Sequence, residues 1–112
     1  MDITPVIRRS IPVIAGYGAG AFTLAGERRQ GSILIVGEEV FPLQAASIND
    51  LSPQALSPLL SAGGIELLLI GTGQTMRPVP PALKACLREA GIACEGMDTG
   101  AACRTYNVLI AV

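Results

Sequence analysis

The chain contains no histidine and no tryptophan, and only two phenylalanines and two tyrosines. Without histidine it lacks the commonest general base near neutral pH and any imidazole metal site. So few aromatic rings provide no platform on which single-stranded bases could stack. Charge is sparse as well: 15% of the 112 residues are charged, and eight basic against nine acidic side chains give a formal net charge of -1. No broad positive field is available for counterion-driven binding, so no nucleic acid partner is expected. Apolar runs such as Ile33 to Val36 and Leu67 to Ile70 fall far short of the ~18 residues that cross a bilayer, and no membrane span is expected. Cys86, Cys94 and Cys103 are odd in number and contain no C-x-x-C pair. Neither a disulfide framework nor a thiolate zinc site has its usual spacing, so no metal or cofactor and a reducing, cytoplasmic compartment are expected. Arg8 and Arg9 stand between Pro5 and Pro12 with no long apolar stretch behind them, so no targeting segment is assigned.

Half of the residues are hydrophobic, which is the composition of a folded globule, and the length fits a single domain over residues 1–112. The stretch from Met1 to Gly20 reads as irregular extended chain packed along an edge, with a turn at Gly16-Tyr17-Gly18. Gly20 to Leu24 and Ser32 to Val36 read as strands around a polar turn at Gly26 to Gln30. After the reversal at Gly37-Glu38-Glu39, Val40 to Leu43 can return as a strand, and Pro42 places it at an edge or at a strand end. Ser52 and Pro53 begin a helix that Pro58 keeps short or kinked before Gly63-Gly64.

Leu67 to Ile70 has the continuous apolar character of a strand covered on both faces. Leu83, Cys86, Leu87 and Ala90 recur at i, i+3, i+4 and i+7, which predicts a helix from Pro81 to Ala90 stopped by Gly91. Ile92 to Met97 then completes a β-α-β unit, expected to be parallel with a right-handed crossover. A terminal helix from Thr99 or Gly100 would turn Ala101, Ala102, Thr105, Val108, Leu109 and Val112 towards the sheet.

Parallel strands bring Gly71-Thr72-Gly73 and Met97-Asp98-Thr99 out at the same sheet end, where ligands of open α/β sheets tend to bind. Gly71, Thr72, Gly73, Asp98, Thr99 and Arg104 are therefore the ligand-binding candidates. The glycine loop has neither the dinucleotide fingerprint nor the P-loop pattern, and it also serves as a plain strand exit. Free amides at the start of the last helix, with Arg104 one turn inside, could hold a carboxylate or phosphate. Alternatively Asp98 or Thr99 caps those amides and Arg104 folds back on Asp98. Cys103 could act as a nucleophile only if those amides and Arg104 lowered its pKa, while buried cysteine is also a common packing residue. Tyr106 and Asn107 could orient a ligand or bond to nearby loops. Glu38, Glu39 and Glu89 form no facing acid-base pair.

The segments YGAGAF at Tyr17 to Phe22, LLLIGTG at Leu67 to Gly73 and MDTGAACRTYNVL at Met97 to Leu109 resemble a domain-of-unknown-function family. That family includes a mitochondrial complex I assembly factor, the adipogenesis-associated domain proteins and many bacterial members. The resemblance implies a compact, layered α/β fold with a mixed central β-sheet and flanking helices, and it implies no catalytic residues. By the same resemblance, the expected function is a non-enzymatic interaction or assembly factor with a protein partner, related to respiratory-complex biogenesis. The alternative is a small-molecule or anion-binding protein, or an enzyme, using the crevice described above. Relatives tend to continue with a Glu-Gly-Arg segment and another apolar strand, whereas Ala111 and Val112 end this chain. A truncated sheet, a different pairing, or dependence on another chain, including a homo-oligomer, is the corresponding expectation.

Overall fold

The computed structural model describes residues 11–110. Expectations placed on the first ten residues, and on Ala111 and Val112, lie outside the described residues. The described chain opens with an antiparallel meander of β1 (Ile14–Gly18), β2 (Ala21–Leu24) and β3 (Glu27–Gln30). Each reversal uses two residues at positive φ, Ala19-Gly20 at 52° and 74° and Ala25-Gly26 at 52° and 77°. Two such residues form the hairpin turn whose twist matches that of the flanking strands. The Gly16 to Gly18 segment is therefore strand rather than turn. The polar residues after Gly26 are likewise the returning strand β3, paired from Leu24↔Glu27 to Ala21↔Gln30.

The left-handed conformation costs alanine on the order of 1 kcal/mol, while asparagine tolerates it. Ala25→Asn is expected to stabilise the fold by about that amount, read as a higher urea midpoint at an unchanged slope. A midpoint that stays put or falls would mean that the turn stores no strain.

β4 (Ser32–Val36) and β5 (Glu39–Leu43) form a second hairpin with Pro42 opposite Ile33. Proline has no amide to give, and among the described residues β5 pairs with β4 alone, so its missing donor lies at the edge of that pair. Ser47 and Ser52 then accept from Asn49 and Ala55 amides at 3.3 and 3.4 Å, starting two short 3-10 turns at Ile48–Asp50 and Pro53–Leu56. The second leads into α1 (Ser57–Ala62), where Pro58 falls in the first turn and interrupts no hydrogen bond.

β6 (Leu67–Gly71), α2 (Pro81–Glu89) and β7 (Ala93–Met97) form the expected β-α-β unit, with parallel pairing from Leu67↔Ala93 to Gly71↔Met97. Gly91, at φ 79°, ends α2: its amide donates to the Arg88 carbonyl and the Ile92 amide to the Leu87 carbonyl, both at 2.9 Å. This paired closure is the glycine-dependent helix stop. Leu83 and Leu87 face inward as their spacing predicts, whereas Ala90 is exposed and Cys86 half-buried. Leu34, Leu56, Leu59, Leu83, Leu87 and Ile92 make one core cluster.

α3 (Thr99–Ile110) closes the described chain and packs on β6, β7 and β1. Its inward face differs from the one expected from periodicity. Cys103 is its buried residue, while Val108 and Leu109 are 63% and 50% exposed. The physical cause is polar: Tyr106 and Asn107 bond to the backbone of Pro12 and Ile14, and turning them inward rotates Val108 and Leu109 out. The described residues thus form an α/β fold with three α-helices, and their strands hydrogen-bond in three groups, β1-β2-β3, β4-β5 and β6-β7.

Candidate functional site

The ends of β6 and β7 meet as parallel pairing requires. The Thr72 amide donates to the Met97 carbonyl at 2.8 Å. One residue on, the Gly73 amide donates to Thr99 Oγ1 at 3.0 Å and the Thr99 amide returns a bond to the Gly73 carbonyl at 2.8 Å. This reciprocal clasp joins the two loops. Thr72 is the one buried polar residue among those described. Its hydroxyl lies 3.0 Å from the Thr75 carbonyl and 3.2 Å from that of Met97, and it accepts from the Arg77 amide at 2.9 Å. The hydroxyl's one proton is shared between the Thr75 and Met97 carbonyls while its oxygen takes the Arg77 amide, so it is paired as donor and as acceptor, in keeping with the cost of burying a hydroxyl unpaired.

Asp98 caps α3. Its Oδ1 accepts from the Ala101 amide at 2.9 Å, which satisfies an orphan donor of the first turn and places negative charge at the positive end of the helix. Arg104 does not fold back onto Asp98: among the described residues the one ion pair is Arg29 with Glu27. Instead the Arg104 guanidinium donates to the Tyr17 hydroxyl at 3.2 Å on the exposed surface. The six candidates are therefore distributed. Gly71 packs against Thr99 and Gly73 bonds to it, Thr72 holds the 72–77 turn, Asp98 caps α3, and Arg104 reaches Tyr17 across Gly100, on the same side as Asp98 Oδ1.

Thr72 and Gly73, with Ser47, Gln74, Thr75 and Arg77, line an open depression of about 330 Å³. Asp98, Thr99 and Arg104 are outside that lining. Ser47 and the role of Tyr17 are not legible in the sequence because partners so distant along the chain leave no local pattern, whereas Gln74 and Arg77 sit in the same loop as Thr72 but match no recognisable motif.

Gly71 is held by close packing. A Cβ there would lie 3.0 Å from Thr99 Cα and 3.3 Å from Ala102 Cβ, against helix backbone that cannot step aside freely. Gly71→Ala is expected to destabilise by on the order of 1–2 kcal/mol through overpacking. The measurement is a chemical denaturation curve, and a neutral result would mean that α3 is not seated against β6 here.

Burial pushes the Cys103 thiol above its ordinary value of 9.0, and the neighbouring Arg104 charge offsets this only in part. The thiol is therefore the protonated form at neutral pH, opposite to what a nucleophile needs. Burial likewise pushes the Tyr106 phenol above 10.0, and its hydroxyl donates to the Pro12 carbonyl at 2.6 Å. Both folded-state pKa values are raised, so the neutral forms contribute stability that is complete below the ordinary values and is lost as pH climbs through the raised ones. Urea midpoints are expected to hold level from neutral pH and then fall above about pH 9–10. In Tyr106→Phe that alkaline decline should be shallower, and an unchanged decline would remove Tyr106 from this account.

No described helix is long and apolar enough to cross a membrane, and no described cluster of three metal-ligating side chains occurs. What the site defines is an α/β domain with two strand-end loops clasped together, a capped helix against them and a Tyr-Arg pair on the neighbouring surface. Residues 14–112 match the family described as protein of unknown function (DUF498/DUF598), and the chain belongs to that family. It is 39% identical over 97 residues to an uncharacterised protein of Rhodobacter capsulatus, covering 87% of this chain and 73% of the relative. It is also 28% identical to NADH dehydrogenase [ubiquinone] 1 alpha subcomplex assembly factor 3 of Xenopus tropicalis, over 87% of this chain. The match spans 54% of that factor's length. Among solved structures, an outer membrane protein from Bartonella henselae superposes with a TM-score of 0.83 at 35% identity, covering 89% of this chain and 85% of the other. A protein from Bordetella parapertussis gives 0.80 at 29% identity, covering 90% and 86%.

Proposed function

We propose that this protein is a non-enzymatic assembly factor, holding a protein subunit in the cytoplasm while a respiratory or related membrane complex is built. The observation that carries this reading is the similarity to the NADH dehydrogenase assembly factor over 87% of the chain. The surface supports it. Arg104 reaches the half-exposed Tyr17, and Val108 follows one helical turn beyond Arg104. This grouping of tyrosine, arginine and aliphatic side chain is the chemistry enriched in protein interfaces.

The test is deletion of the gene in the source organism, followed by native gels and NADH:quinone oxidoreductase activity of the membranes. Loss of assembled complex is expected, restored by the wild-type gene and not by a folded Tyr17→Ser, Val108→Glu variant. Full complex levels in the deletion strain would overturn the proposal.

A second reading, an anion-binding or small-molecule-binding protein, is favoured by the convergence of Thr72, Gly73 and Arg77 on one depression. Titration with inorganic phosphate should then move the amide resonances of Gly73 and Arg77 saturably. Resonances unmoved at millimolar phosphate would remove the anion form of that reading.

A further inference from the structure

The outer edge of β7 brings unpaired backbone next to unpaired charge. In a parallel pair, one residue directs both its amide and its carbonyl at the neighbouring strand and the next directs both away. The Ala93 amide donates to the Glu66 carbonyl at 2.9 Å, and the Met97 carbonyl accepts from the Thr72 amide at 2.8 Å. Ala93, Glu95 and Met97 therefore face β6, while Cys94 and Gly96 turn their backbone groups to the other side. Among the described residues, no strand pairs with β7 there, and neither Cys94 nor Gly96 makes another backbone hydrogen bond.

An open depression of about 430 Å³ runs beside that edge, lined by Lys84 and Arg88 of α2 and by the chain from Gly91 to Glu95, with no residue of β6 in its wall. Lys84 and Arg88 are both exposed and stand four residues apart, neighbours on one face of the helix whose like charges repel. Among the described residues neither has an ion-pair partner. Helix neighbours of this kind lie ~5–6 Å apart, close to the ~6.6 Å between side chains at i and i+2 on one face of a strand. Because α2 returns along the sheet between two parallel strands, its two cations follow the direction of β7. Cys94 packs on the core cluster with α2, so alternation along the strand sends the Glu95 side chain to the opposite face of the sheet.

We infer that the outer edge of β7 is a docking edge for an extended acidic segment of another protein. The segment adds as a strand beside Cys94 and Gly96 and sets carboxylates at two alternate positions against Lys84 and Arg88. The residue between those carboxylates points to the other face, beside Glu95, where a basic side chain fits. Glu95 also decides against a second copy of this chain. Antiparallel pairing of two β7 strands with Cys94 opposite Gly96 would set Glu95 against Glu95, and like charges directly opposite are destabilising. Charge on an edge strand is a common guard against such self-pairing. This edge shares no residue with the Tyr17 and Arg104 surface, and the inference does not rest on the assembly reading.

The probe is a synthetic peptide, acetyl-Val-Thr-Glu-Lys-Glu-Thr-Val-amide, titrated into the isotope-labelled full chain. The amide resonances of Cys94 and Gly96 should move saturably and their hydrogen exchange should slow, while the amides of Ala93 and Glu95, already paired with β6, change little in exchange. A peptide with Gln in place of both Glu should bind about fivefold more weakly or worse, through loss of two exposed ion pairs. The double variant Lys84→Glu, Arg88→Glu should lose as much, with circular dichroism confirming its fold. That variant should in turn prefer a peptide with Lys-Thr-Lys at its centre. No saturable change at millimolar peptide would overturn the inference, as would equal binding of the Gln peptide. Shifts confined to Lys84 and Arg88 would show charge attraction without strand pairing and overturn it too. Protection of Cys94 and Gly96 that rises with protein concentration, without peptide, would assign the edge to a second copy instead.

Discussion

Leu87→Ala is expected to lower the stability of this domain by about 2–5 kcal/mol, the range for truncating a fully buried leucine where the surroundings relax only partly. Leu87 is 1% exposed and packs within the cluster of Leu34, Leu56, Leu59, Leu83 and Ile92. It also occupies the turn where α2 stops. The Leu87 carbonyl accepts the Ile92 amide at 2.9 Å, and both side chains belong to the same core, so one position couples the helix end to the entry of β7. A loss of that size is a large share of the roughly 5–15 kcal/mol that holds a small domain together. Urea denaturation followed by circular dichroism measures it. Leu109→Ala is the control: Leu109 is half exposed, and a change within about 0.5 kcal/mol is expected there. Equal losses at the two positions would mean that the core is not where the structure places it. Because α2 carries the chain from β6 to β7, loosening it should also loosen the clasp between Gly73 and Thr99. Faster hydrogen exchange at both amides is the expected companion result.

That same unit was the most legible part of the sequence, and the reason is local. Leu67 to Ile70 is apolar throughout, Leu83 and Leu87 repeat at helical spacing, and Gly91 is the residue that the helix stop requires. Each signal lies within the segment that it describes. From parallel strands it follows that Gly71 to Gly73 and Met97 to Thr99 emerge together, and the bonds between Thr72, Gly73, Met97 and Thr99 are the consequence. The meander was harder to read because its turns use Ala-Gly pairs, without the Asn-Gly or Asp-Gly signature that marks a two-residue hairpin. β3 then carries Glu27, Arg28, Arg29 and Gln30, side chains of low strand propensity that the exposed face of a hairpin accepts. The inward face of α3 was illegible for another reason. Helical periodicity ranks Val108 and Leu109 as core, but the orientation follows from hydrogen bonds between residues more than 90 positions apart, and a single sequence holds no trace of such pairs. Tyr17 beside Arg104 belongs to the same class of contact.

Asn107 is the residue through which that long-range geometry is most directly tested. Its carboxamide oxygen accepts from the Ile14 amide and its nitrogen donates to the Ile14 carbonyl, both at 2.9 Å. The side chain thus serves β1 as a neighbouring strand would, at the point where the register between Ile14 and Gly16 shifts. Asn107→Ala removes both bonds and leaves a part-buried amide and carbonyl without partners, a loss of about 2–4 kcal/mol at about 1–2 kcal/mol for each stranded group. The seating of β1 on α3 should loosen with it, and the exchange rate of the Ile14 amide should rise well above that of Leu68 in β6. Asn107→Asp separates hydrogen bonding from packing, since the two side chains have nearly the same shape. Ionised, the carboxylate still accepts from the Ile14 amide but sets a negative charge against the Ile14 carbonyl. Protonated, it donates to that carbonyl again. The folded state therefore favours the protonated acid and raises its pKa, so the variant should regain stability as pH falls through the carboxylate range and lose it as pH rises. Wild-type protein has no such group at this position and should lack that step. A variant equally unstable at both ends of the range would show that Asn107 acts through its shape and not through the two bonds.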